Sequence, residues 1–230
     1  MESIVYEDSE LIIFHKPAGI PAQTSRFGQK DVVSILKNYR AGRREEPYIA
    51  LINRLDQPVE GLMLAAKTKQ SAAFLSSRLA SDEIQKIYRA VVCNCRDALL
   101  LPGDTMVLTD YLLKDGQANH SKAVPKGTAR AKKAVLSYEV LKIKEKLAEV
   151  SIHLLTGRHH QIRVQMANAS LPLLGDLKYG IKKPADSPAM QLALCSVKIS
   201  FIHPKTRKKM EFETKPQNPA FQLLCGVHTA

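Results

Sequence analysis

Two β-rich runs, residues 134–143 and 147–155, are separated only by Lys144-Glu145-Lys146, a spacing that predicts a hairpin of two long strands. A hairpin of that length must be covered on at least one face, so the chain is committed to a large antiparallel sheet. Shorter apolar runs at 4–6, 11–14, 48–52, 62–66, 87–92, 190–201 and 210–213 read as further strands. Helical spacing is confined to three places. One helix follows Asp31, a candidate N-cap, through about Tyr39, with Val32, Ile35 and Leu36 on one face. A second covers 70–79, with Ala73, Phe74 and Leu75 near its buried side, and a third covers about 158–169, with Thr156 as candidate N-cap. Many antiparallel strands with few helices predict an α+β fold, built on a mixed, mostly antiparallel central sheet with flanking helices.

Charge separates the two halves of the 230-residue chain. Residues 1–115 hold 15 Lys/Arg and 15 Asp/Glu, whereas residues 116–230 hold 19 and 7, so the second half carries the whole net charge of +12. Basic clusters stand at Arg130-Ala131-Lys132-Lys133, at Lys178 with Lys182-Lys183, and at Lys205-Thr206-Arg207-Lys208-Lys209. A concentrated positive field suits a polyphosphate partner, and a solvated basic surface explains it equally well. No apolar run approaches the roughly 18 residues of a membrane span, and the acidic start Met1-Glu2-Ser3 lacks a signal-peptide pattern, so a cytoplasmic address is expected. Cys93, Cys95, Cys195 and Cys225 form no Cys-x-x-Cys pair; Cys93 and Cys95 are expected to pack on one strand face. Phosphate-loop, dinucleotide and zincin signatures are absent.

Three segments can carry chemistry. In Ile52-Asn53-Arg54-Leu55-Asp56-Gln57-Pro58-Val59-Glu60-Gly61-Leu62, Pro58 pushes Gln57 away from helical angles and Gly61 releases the chain into the next strand. Asp56 is therefore displayed on a held loop between two buried strands, either as a reactive carboxylate or as a turn aspartate paired with Arg54. In Thr156-Gly157-Arg158-His159-His160-Gln161-Ile162-Arg163-Val164, a helix start would aim free N–H groups outward. His159 and Arg163 would share a helix face, and the adjacent histidines would diverge by about 100°. In Gln85-Lys86-Ile87-Tyr88-Arg89-Ala90-Val91, Lys86, Tyr88 and Ala90 alternate with the others across a strand, and Tyr88 serves a site or simply the core.

Taken in order, Arg-Leu-Asp with a following Gly-Leu, then Lys-x-Tyr-x-Ala-x-Val, then Gly-Arg-x-His-Gln-Ile-Arg-Val resemble the RluA-type pseudouridine synthases. Lys16-Pro17-Ala18-Gly19 and Pro172-Leu173-Leu174-Gly175-Asp176-x-x-Tyr179-Gly180 match the same family, so the resemblance runs from about Ile4 to Phe221. It implies the pseudouridine synthase fold with a cleft between two lobes, here as a single catalytic domain over 1–230 without a separate N-terminal RNA-binding domain. It also implies isomerisation of uridine in structured RNA, tRNA or rRNA, after the base has left its stack. Asp56 takes the role of the essential carboxylate, as nucleophile or general base. Arg163 corresponds to the arginine that pairs with it, and Tyr88 to the aromatic that stacks on the target base. Asn53, Arg54, Arg158, His160 and Gln161 fall at substrate-binding positions. No cofactor, metal, membrane or obligate protein partner is implied, and a monomer is expected. Three departures stand out: Asn53 replaces the usual His, Val59-Glu60-Gly61 follows the aspartate, and His159 replaces the usual Thr. A second reading keeps the scaffold as an RNA-binding or RNA-folding protein without the chemistry. A nuclease or methyltransferase lacks its carboxylate cluster or cofactor loop here.

Overall fold

The computed structural model describes residues 3–24, 28–95, 99–181 and 190–224; the basic pair Lys182-Lys183 and Cys225 lie outside the described residues. The chain divides into two compact units, Met1–Lys86 with Cys195–Lys215, and Ile87–Leu194 with Pro216–Ala230.

The first unit is organised around β4 (Glu60–Ala66), every residue of which is buried. One edge of β4 is covered along its whole length by the antiparallel strand β2 (Leu11–Lys16), from Leu11 opposite Ala66 to Lys16 opposite Gly61. The other edge is shared. β3 (Ala50–Leu51) pairs with its end, at Ala65 and Ala66, and β10 (Leu194–Ile202) runs parallel to its start, Cys195 opposite Glu60 and Ser196 opposite Gly61. β1 (Ile4–Glu7) extends the sheet beyond β2, and β11 (Lys209–Glu213) pairs antiparallel with β10. β2 and β4 lack polar alternation because central strands covered on both faces are apolar along most of their length, with His15, Lys16 and Glu60 as buried exceptions at their ends. Leu11, Ile13, Leu62, Leu64, Ile199 and Phe201 form the core, with Ala72 and Leu75 of α2 (Lys69–Ala80) packed among them.

The helix starts in this unit follow side-chain capping. Asp31 caps α1 (Val32–Gly42) by accepting the Ser34 N–H at 2.7 Å, while its own N–H donates to Ser34 Oγ at 3.1 Å. The helix runs past Tyr39 to Gly42. Thr68 caps α2 through the Ser71 N–H at 3.1 Å. The strand expected over 48–52 shortens to two residues, since Ile52 and Asn53 already turn toward the loop.

In the second unit the strand order is β5-β9-β8-β6-β7. β5 (Gln85–Cys93) pairs antiparallel with β9 (Leu147–Leu154), and β9 with β8 (Lys132–Lys144), which is the long hairpin expected from the sequence. Its turn places Glu145 at φ 54°. The expected alternation holds in β5: Lys86, Tyr88 and Ala90 are buried. Cys95 lies past the end of β5 and is exposed, so it does not share a strand face with Cys93. Two strands had no counterpart among the apolar runs, β6 (Thr105–Asp115) and β7 (His120–Val124). Most β6 side chains face solvent, so the ladder to β8, not burial, keeps it extended. The helix α3 (Gln161–Asn168) completes the unit with a short 3₁₀ turn at Pro219–Leu224. Among the described residues, no helix is long and apolar enough to cross a membrane.

Gly61 sits where β4 meets β10, at φ 119°, and a Cβ there would lie 2.5 Å from the Ser196 amide nitrogen. Gly61→Ala therefore forces the two strands apart in a conformation that L side chains avoid. We expect a loss of about 3 kcal/mol, read as a melting temperature lower by about 6–12 °C. An unchanged melting temperature would show that the strands accommodate the methyl group.

Candidate active site

Asp56 lies half-buried on the loop between β3 and β4, between the buried anchors Leu55 and Val59. Its carbonyl accepts the Val59 N–H at 3.0 Å, closing a turn over 56–59. Two buried polar side chains hold this loop. Asn53 fills the gap left in the ladder along β4: its Oδ1 accepts the Leu64 N–H at 2.7 Å and its Nδ2 donates to the Leu62 carbonyl at 3.3 Å. The side chain thus occupies the stretch of β4 edge between β3 and β10 and pairs two of its backbone groups. An amide is suited to this, because one side chain supplies both a donor and an acceptor.

Lys16 is the second clasp. Its side chain is fully buried, and its ammonium donates to the carbonyls of Pro17 at 2.9 Å, Ile20 at 2.8 Å and Gln57 at 3.1 Å. Gln57 is locked from the other side as well, its carbonyl accepting the Gly19 N–H at 2.8 Å and its Nε2 donating to the Gly19 carbonyl at 2.9 Å. The turn after β2 is therefore bolted to the residue after Asp56. Burial pulls the Lys16 ammonium down from 10.5 to about 8, and the charges of Asp56 and Glu60 oppose that fall. Glu60 is itself buried, and with burial it raises the Cys195 thiol. Arg54 is exposed.

The remaining residues singled out from sequence lie in the second unit. Tyr88 is buried in β5, opposite Ile152 of β9. Arg163, on α3, is 5% exposed and forms a two-pronged pair with the wholly buried Asp176, Nε to Oδ2 at 2.8 Å and Nη2 to Oδ1 at 2.7 Å. Asp176 also accepts the N–H groups of Lys178 at 2.9 Å and Tyr179 at 3.1 Å, and these contacts hold its carboxyl below the usual range against the effect of burial. The guanidinium lies over the Tyr179 ring, 5.2 Å from its centre. One edge of Arg163 is thus fixed by three contacts to the Gly175-Asp176-Leu177-Lys178-Tyr179 turn.

The start of α3 differs from expectation. Thr156 is not its N-cap: its hydroxyl accepts the Val135 N–H at 2.9 Å and donates to Gln161 Oε1 at 2.7 Å. Gln161 braces the turn instead, accepting the Arg158 N–H at 2.9 Å and donating to the Val135 carbonyl at 3.1 Å. Helical geometry begins only at Gln161, because His160 stands at φ 53° in the left-handed region with no side-chain cap. His159 therefore does not share a helix face with Arg163. For the same reason the two histidines do not diverge; their rings stack, 3.7 Å apart at 25°.

Both histidines are engaged. His159 contacts Ser121 Oγ through Nδ1 at 2.8 Å and Asn119 Oδ1 through Nε2 at 3.0 Å, which places the ring proton on Nε2 in the neutral form. His160 Nδ1 meets the Tyr179 hydroxyl at 2.8 Å, and that hydroxyl accepts the Ser121 N–H at 2.8 Å. Burial, then Arg163, His159 and Lys178, push His160 down to about 3, so it is neutral and accepts the tyrosine proton. Arg158 remains exposed, its Nε donating to the Lys133 carbonyl at 2.9 Å. In the sequence Lys16, Asp176 and Tyr179 stand only as letters of the family motifs, with no task assigned to them.

Residues 10–168 match the family described as RNA pseudouridylate synthase. An uncharacterized RNA pseudouridine synthase of Mycoplasma genitalium is 31% identical over 220 residues, covering 95% of this chain and 67% of that protein. Ribosomal large subunit pseudouridine synthase D of Zymomonas mobilis is 30% identical over 235 residues, covering 96% and 71%. The chain thus spans about two thirds of the length of these curated relatives. Among solved structures, human RNA pseudouridylate synthase domain containing 4 superposes with a TM-score of 0.73 at 22% identity, covering 94% of this chain and 89% of that one. That likeness establishes the α+β fold.

The shifted Lys16 ammonium makes a stability prediction with a definite sign. Between about 8 and 10.5 the folded chain binds fewer protons at Lys16 than the unfolded chain, so this residue's contribution to stability rises with pH across that window. The cost of burying the charged form is present in full below about 8. Denaturant midpoints for wild type and Lys16→Met at pH 8 and pH 10 isolate the term: wild type gains on the variant by about 2–3 kcal/mol as pH rises. Parallel pH profiles would show that the ammonium is not penalised by burial.

Proposed function

The chain belongs to the RluA-type RNA pseudouridylate synthase family and is an RNA pseudouridine synthase; from that premise we propose that Asp56 is the essential carboxylate with which it isomerises particular uridines in tRNA or rRNA. The observation that carries the assignment is the loop: Asp56 is half-buried on a turn clamped by two buried side chains, Asn53 through β4 and Lys16 through Gln57. A carboxylate that must meet one face of a ribose or base needs such fixed placement, since misplacement by about 1 Å costs roughly 10²-fold in rate. A turn aspartate with only a structural task needs no such clamp from two directions.

The reaction breaks the bond between the ribose anomeric carbon and N1, turns the base, and joins the same carbon to C5. The C5 proton leaves, N1 regains one, and no electrons are exchanged, so the chemistry calls for no cofactor. The carboxylate acts as nucleophile or as general base. Tyr88 and Arg163 take their roles, stacking on the target base and supporting the carboxylate, from the likeness of their segments to the family's motifs. The two-pronged pair with Asp176 supports Arg163 as a rigid cation rather than a mobile one. Asn53 and Gln161 serve as positioning residues in this reading, because their amides are engaged by backbone and turn; Arg54 and Arg158, both exposed, are the RNA contacts. The clusters at Arg130–Lys133, Lys178 and Lys205–Lys209 supply phosphate contacts that offset the few kcal/mol of unstacking. Arg207 of the last cluster also lies over the Phe74 ring at 4.1 Å, which fixes that turn. The enzyme acts in the cytoplasm as a monomer.

Tritium release from RNA labelled at uridine C5, using bulk tRNA and rRNA, tests the assignment. Wild type releases tritium, and Asp56→Asn lowers the rate by at least about 10²-fold with the melting temperature unmoved. Retained activity in the variant would remove Asp56 from the chemistry. Absence of release by wild type from either RNA would favour the non-catalytic binder.

A further inference from the structure

A concave pocket of about 250 Å³ lies within the second unit, beside the β6–β7 hairpin and the turn that precedes α3. That is room for about eight waters. Lys114, Arg130, Lys132, Arg158 and His159 line it, together with the leucines Leu112 and Leu113. Among the described lining residues there is no carboxylate, and none of the four permanent cations forms an ion pair with a described carboxylate. The nearest acids in sequence face elsewhere. Asp115 accepts the N–H groups of Gln117 at 2.9 Å and Ala118 at 3.0 Å within the hairpin turn. Asp110 accepts from Gln165 at 2.7 Å and Asn168 at 2.9 Å.

Two of the cations are placed by backbone. Arg158 is tethered through Nε to the Lys133 carbonyl, which leaves its two terminal amino groups directed by a fixed plane. Arg130 stands at φ 64°, in a turn where the Ala131 N–H meets the Thr128 carbonyl at 3.1 Å and Thr128 Oγ1 donates to the Pro125 carbonyl at 2.8 Å. A non-glycine residue in that region costs about 1–2 kcal/mol, a cost that the surrounding turn must hold. Lys132 begins β8 directly opposite Leu112. His159 is fixed by Ser121 and Asn119. Gathering like charges in one concavity is unfavourable until an anion enters and offsets their repulsion.

We propose that this pocket is a phosphate subsite which seats one backbone phosphodiester of the RNA substrate, with Arg130, Lys132 and Arg158 as its cationic ligands. The assignment of RNA as the source rests on the synthase reading above; the shared chemistry, a phosphoryl oxyanion, is read from the pocket alone. A planar guanidinium and a lysine ammonium in one concavity suit the two free oxygens of a phosphodiester. The neighbouring β7 and α3 side chains place the seat next to the His159–His160–Tyr179 chain, so a phosphate there registers the strand against the Asp176-anchored turn.

The test is equilibrium binding of a transcribed tRNA stem-loop across a salt series, comparing wild type with Arg130→Gln/Lys132→Gln and with the control Lys144→Gln/Lys146→Gln. The control removes the same charge at the β8–β9 turn, away from the pocket. Loss of one seated phosphate lowers the slope of log affinity against log salt by about 1 and affinity by about tenfold at moderate salt, for the pocket variant alone. Melting temperatures of the three proteins establish that each is folded. An unchanged slope in the pocket variant, or an equal fall in the control, overturns the subsite. A titration with inorganic phosphate at constant ionic strength separates the sources. Phosphate binding that needs Arg130 and Lys132 while RNA affinity does not would assign the pocket to a free anion and overturn the RNA assignment. Binding is measured without turnover, so a wild type that shows the slope change yet releases no tritium would keep the subsite and defeat the synthase reading.

Discussion

A fully buried ammonium organises the first unit. Lys16 ends β2, and its three carbonyl contacts tie the turn after that strand to Gln57, next to Asp56. Removing the group would leave the Pro17 and Ile20 carbonyls to find other partners, at about 1–3 kcal/mol for each one left buried and unmade, while the Gln57 carbonyl keeps the Gly19 N–H. Such a network has one low-energy arrangement and several costly ones, which holds the loop that carries Asp56 in one place. Asn53 adds the same kind of constraint from the β4 side. The burial that weakens the Lys16 charge is the burial that gives its hydrogen bonds their orienting force.

The second unit uses a longer chain of contacts to the same end. Asp176 receives Arg163 on both oxygens and two backbone N–H groups; Tyr179 from that turn reaches His160 and Ser121; His159 stacks on His160 and reaches back to β7. Breaking such a pair from one side leaves an uncompensated buried charge, a loss of about 3–5 kcal/mol. The departure of His159 from the family's usual residue therefore has a structural consequence. An imidazole here joins α3's leading turn to the β6–β7 hairpin through two side chains, Ser121 and Asn119.

Legibility followed the strength of local patterns. The β8–β9 hairpin, both capped helices of the first unit and the alternation in β5 were readable because turn chemistry, capping residues and periodicity act within a few residues. β6 and β7 were not, since Thr109 and Asp110 interrupt the apolar residues of β6, β7 is short and polar, and pairing holds them extended, β6 to β8 across 20 to 34 positions and β7 to β6 across 5 to 13. The Thr156 cap failed for an instructive reason. Its hydroxyl had two candidate uses, and the neighbouring strand β8, distant in sequence, supplied the partner that won. Asp56, Tyr88 and Arg163 stood out only as parts of a family pattern, because turn aspartates, core tyrosines and helix arginines are common for structural reasons.

By itself the sequence determined the α+β class, the position of Asp56 on a loop between strands, and the basic character of the second half, since composition, periodicity and turn residues are local quantities. Tertiary structure alone decided that Lys16 is buried and clasps that loop, that Asn53 completes the β4 edge, that Asp176 is a partner of Arg163, and that four cations from β6, β8, the β7–β8 turn and the α3 approach share one pocket. Each of these joins residues between 11 and 44 positions apart. Hydrogen-bond geometry and electrostatic strength depend on distance and burial, and neither exists until the strands have paired.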